Sequence, residues 1–132
     1  MDQRGGSKLP PVSEQMLVWS MALASELRDW PQVTQKSFFG FTALYRGKTI
    51  FGLLPRTRSI SKDSALAFRL HTQQGSTPSR VTEDSRIAPF DKHRTRWFTF
   101  ELSRDTDLRD ALAWLALAYE AARSGKRPRP GR

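Results

Sequence analysis

The amino-acid sequence predicts an α+β fold in which an N-terminal and a C-terminal helix pack on an antiparallel β-sheet. Three observations carry this prediction. Short runs of strand-forming residues between Thr34 and Leu70 are separated by single glycines, a pattern typical of hairpins. A longer alternating run, Thr95–Leu102, follows later, and one apolar helical stripe lies near each end of the chain. Helices segregated from strands in this way favour a helix layer on a sheet over alternating βαβ units.

The first helix is predicted between Ser13 and Trp30. Ser13 is a suitable N-cap, and Glu14 lies in the first turn, where the helix dipole favours a negative charge. Pro31 disfavours helical backbone at the residue before it and therefore ends the helix. The residues that recur at helical spacing and should be buried are Met16, Ser20, Leu23 and Leu27.

The predicted sheet begins directly after this helix. Gly40 and the sequence Arg46-Gly47-Lys48 mark two tight turns, whereas the polar segment Arg56–Asp63 is predicted to be a longer loop. The strands predicted around these turns are Val33–Phe39, Phe41–Tyr45, Thr49–Leu54 and Ala65–Leu70.

Two later segments are predicted to lack strands. His71–Ser79 is rich in turn-forming residues, and Thr77 or Ser79 could cap a short helical turn that extends through Glu83. Ile87–His93 is predicted to be irregular around its proline, Pro89.

The last strand and the last helix are predicted at Thr95–Leu102 and Ser103–Arg123. Ser103 is the expected N-cap, and Gly125 is the expected stop. Alternation along the strand separates its side chains into two sets. Phe98, Phe100 and Leu102 are predicted to face the core, and Trp97, Thr99 and Glu101 the opposite side.

Length and composition indicate one domain with flexible ends. The 132 residues suffice for a core without metals or disulfides, and the predicted organisation is a flexible segment 1–12, a domain 13–123 and a disordered basic tail 124–132. The absence of cysteine excludes disulfides and cysteine-based chemistry and is compatible with the cytoplasm, the expected location. We expect no membrane partner, because no apolar run is long enough for a signal peptide or a spanning helix.

The formal charge of +9 is concentrated outside the predicted domain. Residues 124–132 contribute +4 and residues 1–12 contribute +1, which leaves +4 for residues 13–123. Two basic clusters nevertheless lie inside the domain, and arginine suits phosphate or carboxylate because its guanidinium is a planar fork. They are either solvated loop charges or an anion-binding face, and their members are Arg56, Arg58, Lys62, Lys92, Arg94 and Arg96.

Motifs for catalysis are missing from the sequence. The two histidines, His71 and His93, are not spaced as metal ligands, and neither a nucleophile elbow nor a phosphate-binding glycine loop occurs. The acids Asp105, Asp107 and Asp110 are explained by the start of a helix. We therefore predict no catalytic residue, no metal and no cofactor.

The aromatic residues leave two questions open. Trp19, Trp30 and Trp114 lie at the edges of helical stripes and either seal the rim of the core or contact another protein; core rim is favoured. Trp97 and its neighbours could form a stacking platform like those of RNA-binding sheets, but alternation places Phe98 and Phe100 in the core.

Short motifs along residues 14–122 resemble the N-terminal domain of TfoX and the related YjbR/MmcQ-like proteins. Phe41 replaces the second glycine of the TfoX signature, and Arg46-Gly47 replaces its Asp-Gly turn. The similar motifs are Ser37-Phe38-Phe39-Gly40, the hairpin Leu44–Leu53, Ala67-Phe68-Arg69-Leu70, Lys92 followed by Trp97–Phe100, and Ala118-Tyr119. The resemblance implies a compact α+β sandwich in a bacterial cytoplasm and supplies no catalytic residue.

These observations lead to a functional hypothesis and one alternative. The chain is predicted to be a small non-enzymatic binding or adaptor domain whose partner is an anion, a nucleic acid bound weakly and without sequence preference, or another protein. The alternative is a small-molecule enzyme whose pocket the sequence does not reveal. Convergence of Arg56, Arg58, Arg94 and Arg96 on one surface would support anion binding, whereas a concave pocket with strongly shifted pKa values would support an enzyme.

Overall fold

A computed structural model describes residues 11–60, 64–70, 81, 83–91 and 94–126. Val81 and Glu83 are helical, in agreement with the short helical turn predicted through Glu83. The described residues also form two longer helices and six strands. In chain order they are α1 (Glu14–Arg28), β1 (Val33–Phe38), β2 (Phe41–Arg46), β3 (Thr49–Pro55), β4 (Ala65–Arg69), β5 (Ile87–Asp91), β6 (Arg94–Glu101) and α2 (Asp107–Lys126).

The six strands form one sheet in the order β1-β2-β3-β4-β6-β5, and every neighbouring pair is antiparallel. Both helices pack on the same face of this sheet, so the predicted α+β fold is confirmed. We call the opposite face, which bears Ala43, Leu53 and Ala67, the far face.

Helix α1 follows its prediction closely. The Ser13 side chain accepts a hydrogen bond of 3.1 Å from the Met16 backbone N–H, as an N-cap should. The helix ends at Arg28, two residues before Trp30, and all four residues of the predicted stripe are buried.

Helix α2 begins later than the sequence predicted. Ser103 is exposed and does not cap the helix; the Asp107 carboxylate accepts hydrogen bonds from the backbone N–H groups of Ser103 (2.7 Å) and Arg104 (3.2 Å). The Asp107 side chain thus satisfies the backbone N–H groups of the two residues Ser103 and Arg104, which precede the helix. The first helical residue is therefore Asp107. The helix runs to Lys126, past Gly125, and the rest of the predicted tail lies outside the described residues.

The segment Ile87–Asp91 is strand β5, so the prediction of an irregular Ile87–His93 was wrong for these five residues. Pro89 is compatible with a strand here because β5 lies at the edge of the sheet, where a missing backbone N–H costs no ladder bond. The register of β5 against β6 is nevertheless irregular between Pro89 and Asp91.

The main core lies between the helices and the sheet. Trp19 and Trp114 belong to it, and Trp30 packs edge-on against Tyr119, which supports the core-rim interpretation of these tryptophans. The largest fully buried side chains of this layer are Phe51, Phe68, Phe100, Met16, Leu27, Leu44, Leu54, Leu66, Leu102 and Leu115.

Strand β6 has the predicted orientation, and the side opposite the main core is also partly buried. Phe98 and Phe100 face the helices as predicted. Thr99 points to the far face and yet is only 7 % exposed, because the far face has a small apolar cluster of its own. The Thr99 hydroxyl also donates a long hydrogen bond of 3.4 Å to the Ala88 carbonyl on the neighbouring strand.

Candidate functional site

The strand register aligns small side chains across the middle of the far face. Each member of this row pairs with the next across a strand boundary. From one edge of the sheet to the other the row consists of Lys36, Ala43, Leu53, Ala67, Thr99 and Ala88. Four of the six are Ala or Thr, so the row forms a shallow trough.

The connection between β3 and β4 fills part of this trough. Ile60 is 2 % exposed and packs with Ala43, Leu53 and Ala67, while the preceding Ser59 is fully buried. The middle of the far face is therefore a closed minor core. Any binding surface must lie towards the two ends of the strands.

At the end of the far face where β2 and β4 finish, two aromatic residues flank an arginine. We call Tyr45, Arg69 and Trp97 the aromatic row; Tyr45 lies on β2, and Arg69 on β4 pairs with Trp97 on β6. All three are partly exposed. Tyr45 and Trp97 are three strand spacings apart, about 14 Å. Half-open aromatic rings at this separation offer two faces for planar groups.

Arg69 is the most unusual member of the aromatic row. Its side chain lies on the far face by alternation with the buried Phe68, and its Nε atom is buried without a hydrogen-bond partner among the described residues. Burial, and secondarily the positive charge of Arg96, lower the pKa of Arg69. Within the described part of the chain no acid lowers the cost of this charge and a second arginine lies close to it, so the guanidinium is a suitable receptor for an anion.

Two further contacts extend this surface. The Lys36 ammonium lies over the Tyr45 ring, 5.3 Å from its centroid, and Phe90 meets Trp97 edge-on at 6.3 Å. The cation lies at one side of the aromatic row and the exposed aromatic Phe90 at the other. The row is thus bordered by a cation on one side and an aromatic ring on the other, with Ile50 of β3 between Tyr45 and Arg69.

The predicted anion-binding residues that the structure describes do not gather at one place. Arg56 and Arg58 follow β3, at the end of the sheet where Ala65 pairs with Glu101, whereas Arg96 lies at the opposite end beside Arg69. Arg56 donates a 2.6 Å hydrogen bond to the Ser37 hydroxyl. Of the remaining candidates, Lys62 and Lys92 lie outside the described residues, and Arg94 is described only as the first residue of β6.

Sequence reasoning overlooked Arg69, Lys36 and Tyr45 as a group. Alternation gave a usable signal at one of them, because Arg69 is the single charged residue within the apolar strand Ala65–Leu70. Their convergence depends on the order β1-β2-β3-β4-β6, which periodicity within each strand does not specify.

A second charged cluster surrounds Arg86 near the start of α2. Its guanidinium contacts Asp84 and Asp107 at 2.9 Å and Asp110 at 3.1 Å, and it lies 4.7 Å from the centre of the Phe100 ring. Hydrogen bonds from Arg86 lower the pKa of Asp84, and those from the Ser103 backbone lower the pKa of Asp107. Both carboxyls stay ionised at neutral pH, which suits a structural clamp rather than proton transfer.

No set of three or more acidic or histidine side chains suited to a metal occurs in the described part of the chain. No helix among the described residues is long and apolar enough to cross a lipid bilayer. Comparison with known proteins gave no match to a family model, to a curated protein or to a solved structure. Membership of the TfoX and YjbR/MmcQ-like families therefore stays a prediction.

Proposed function

We propose that this chain is a small binding domain that holds single-stranded nucleic acid against the aromatic row of its sheet. In this proposal Tyr45 and Trp97 stack with bases, while Arg69 contacts phosphate. Lys36 and Arg96, both exposed beside the row, add to the attraction for a polyanion.

The observation that carries the proposal is the environment of Arg69. A buried guanidinium nitrogen without a partner costs free energy in the unbound domain. A phosphate beside the guanidinium supplies the negative charge that the described neighbours of Arg69 do not supply. The aromatic rings on either side favour a nucleotide chain over a simple inorganic anion, because every base has a face that stacks.

Binding of this kind should be weak, independent of sequence and sensitive to salt. The three residues of the aromatic row lie on strands, so the row presents no helix that could enter a major groove and read its bases. With about three phosphate contacts, the affinity for a single strand should fall about 20-fold between 50 and 200 mM salt. A net charge of +9 adds a nonspecific contribution that a control must remove.

The test compares two variants that lose the same charge. Arg69→Gln should weaken binding of a fluorescein-labelled (dT)12 about tenfold in fluorescence anisotropy and reduce the salt slope, because it removes a phosphate contact. Arg109→Gln removes an exposed arginine from α2, on the other side of the sheet, and should change the affinity less than twofold. Arg69→Lys should restore only part of the binding, since lysine keeps the charge but lacks the planar fork.

Equal losses for Arg69→Gln and Arg109→Gln would contradict the proposal, because binding would then follow net charge alone. Removal of residues 127–132 provides a second control. If the shortened chain no longer binds (dT)12, the C-terminal arginines and not the sheet hold the strand.

A further inference from the structure

The hairpin between β1 and β2 presents two large apolar side chains to solvent. Phe39 is 84 % exposed and Phe38 is 42 % exposed, and their rings meet edge-on with centroids 4.8 Å apart. Phe39 also has a φ of 50°, in the left-handed region that a bulky residue rarely adopts. We call Phe38, Phe39 and Gly40 the hairpin tip.

The hairpin tip is braced by the basic segment that follows β3. The Gly40 carbonyl accepts hydrogen bonds from the backbone N–H groups of Arg56 (3.1 Å), Thr57 (2.9 Å) and Arg58 (3.3 Å). Gly40 has a φ of 90°, and a Cβ atom there would lie 2.7 Å from the Arg58 side chain, so this close approach requires glycine. The tip is therefore held in one conformation before any partner arrives.

This arrangement is unfavourable for the isolated domain. An exposed aromatic ring on strained backbone gains little from burial, and neither ring of the tip belongs to either apolar cluster of the fold. Strain and exposure at one residue, held by surrounding hydrogen bonds, are typical of a contact site. The adjacent exposed cations Arg56 and Lys36 favour a negatively charged partner.

The hairpin tip and the aromatic row lie at opposite ends of the far face, and exposed far-face side chains of β1 connect them. Phe38 pairs with Phe41 on the far face, and Lys36 lies one step further along β1, over the Tyr45 ring. Phe41 and Tyr45 are four residues apart on β2, about 14 Å. At about 3.4 Å per stacked step, that distance corresponds to about four nucleotides.

We infer that Phe39 is a second stacking contact for the same nucleic-acid strand, with Arg56 as its phosphate contact. This inference rests on the proposed function and adds a path to it. The strand would cross the aromatic row, pass Lys36 and leave the domain over the hairpin tip. A strand of four nucleotides fills only the aromatic row, whereas a strand of twelve reaches both contacts.

The experiment varies the length of the strand. Unlabelled strands compete with labelled (dT)12 for the protein. Phe39→Ala should lower the affinity for unlabelled (dT)12 about tenfold and leave the affinity for (dT)4 unchanged. Arg69→Gln should weaken both lengths. Met21→Ala removes an equally exposed apolar side chain from α1, 63 % exposed, and should change neither.

The outcomes separate this inference from the proposed function. If Phe39→Ala behaves like Met21→Ala on (dT)12 while Arg69→Gln still weakens it, the hairpin tip is not a contact and the proposed function stands. If wild-type protein binds neither length, both fail. Phe39→Asn serves as a second variant, since asparagine tolerates left-handed backbone and has no ring.

A membrane arm completes the test. Sedimentation with vesicles of phosphatidylcholine and phosphatidylglycerol (3:1) would show whether the tip inserts into anionic lipid instead. Phe39-dependent sedimentation together with unchanged (dT)12 binding would overturn the inference in favour of a lipid surface. We expect no Phe39-dependent sedimentation.

Discussion

Arg86 and Arg69 are both partly buried, and their surroundings are opposite. Arg86 meets three carboxylates at 2.9 to 3.1 Å and covers the Phe100 ring, and these partners raise its pKa. Arg69 has a buried Nε without a partner in the described part of the chain, and burial and Arg96 lower its pKa. The fold satisfies Arg86, whereas the described residues leave the Nε of Arg69 without an acceptor.

This difference distinguishes the face of the sheet that stabilises the fold from the face that contributes less to stability. The side of the sheet with the helices combines large buried aromatics with a compensated charge network. The described far face has small residues, partly exposed aromatic rings and an arginine whose buried Nε has no partner there. An unpaired buried donor costs free energy without a folding benefit, and this cost is the reason that we propose a binding role for Arg69.

The greatest loss in the free energy of unfolding is expected on β6, where Phe100 and Thr99 are adjacent but point to opposite faces of the sheet. Phe100→Ala should lower the free energy of unfolding by about 3–5 kcal/mol, because it opens a cavity in the main core. Thr99→Ala should lower it by only about 1 kcal/mol, since the far-face cluster is small and the bond to Ala88 is long. Urea denaturation of both variants measures the difference, and a larger loss for Thr99→Ala would reverse the assignment of the main core.

The second effect concerns Arg86 and depends on pH. Arg86→Met should lower the free energy of unfolding by about 2 kcal/mol at pH 7, because it leaves Asp84, Asp107 and Asp110 without their shared cation. Asp84 and Asp107 have pKa values below their ordinary 3.8 in the folded protein, so their contribution exists above that value and is lost as the pH falls through the lowered pKa.

The gap in stability between wild type and Arg86→Met should therefore narrow between pH 5 and pH 2. Urea denaturation at pH 7, 5, 3 and 2 measures it. A gap that stays constant down to pH 2 would show that Arg86 acts through packing on Phe100 and not through the carboxylates.

The sequence predicted the parts of the molecule that depend on local pattern. Ser13 and Pro31 define α1, and the alternation of Trp97–Leu102 placed Phe98 and Phe100 correctly. The errors occur where tertiary context overrides local preference. Pro89 is tolerated because β5 is an edge strand, and Asp107 delays α2 by binding the backbone that precedes it.

The candidate site was less accessible to sequence reasoning than the fold. The predicted basic clusters consist of residues that are close in sequence. The aromatic row instead joins residues of β2, β4 and β6, which the strand order brings together. The same order carries Arg56 and Arg96 to opposite ends of the sheet. An arginine in an apolar strand, such as Arg69, is the local signal that could have directed attention there.

The smallest change in the free energy of unfolding is expected for Arg69→Met, and it should be stabilising. Arg69→Met keeps the apolar stem of the side chain and removes the guanidinium, whose Nε has no partner among the described residues, together with its repulsion from Arg96. It should therefore raise the free energy of unfolding by up to about 1 kcal/mol in the absence of nucleic acid. A stabilising substitution that weakens binding is what the comparison with Arg86 predicts.

The most direct test is urea denaturation of wild type and Arg69→Met, each with and without excess (dT)12. We predict that the variant unfolds at a higher urea concentration than wild type when no strand is present, and that added strand stabilises wild type more than the variant. If Arg69→Met is instead less stable than wild type and gains as much from (dT)12, Arg69 belongs to the fold and the aromatic row is not a binding site.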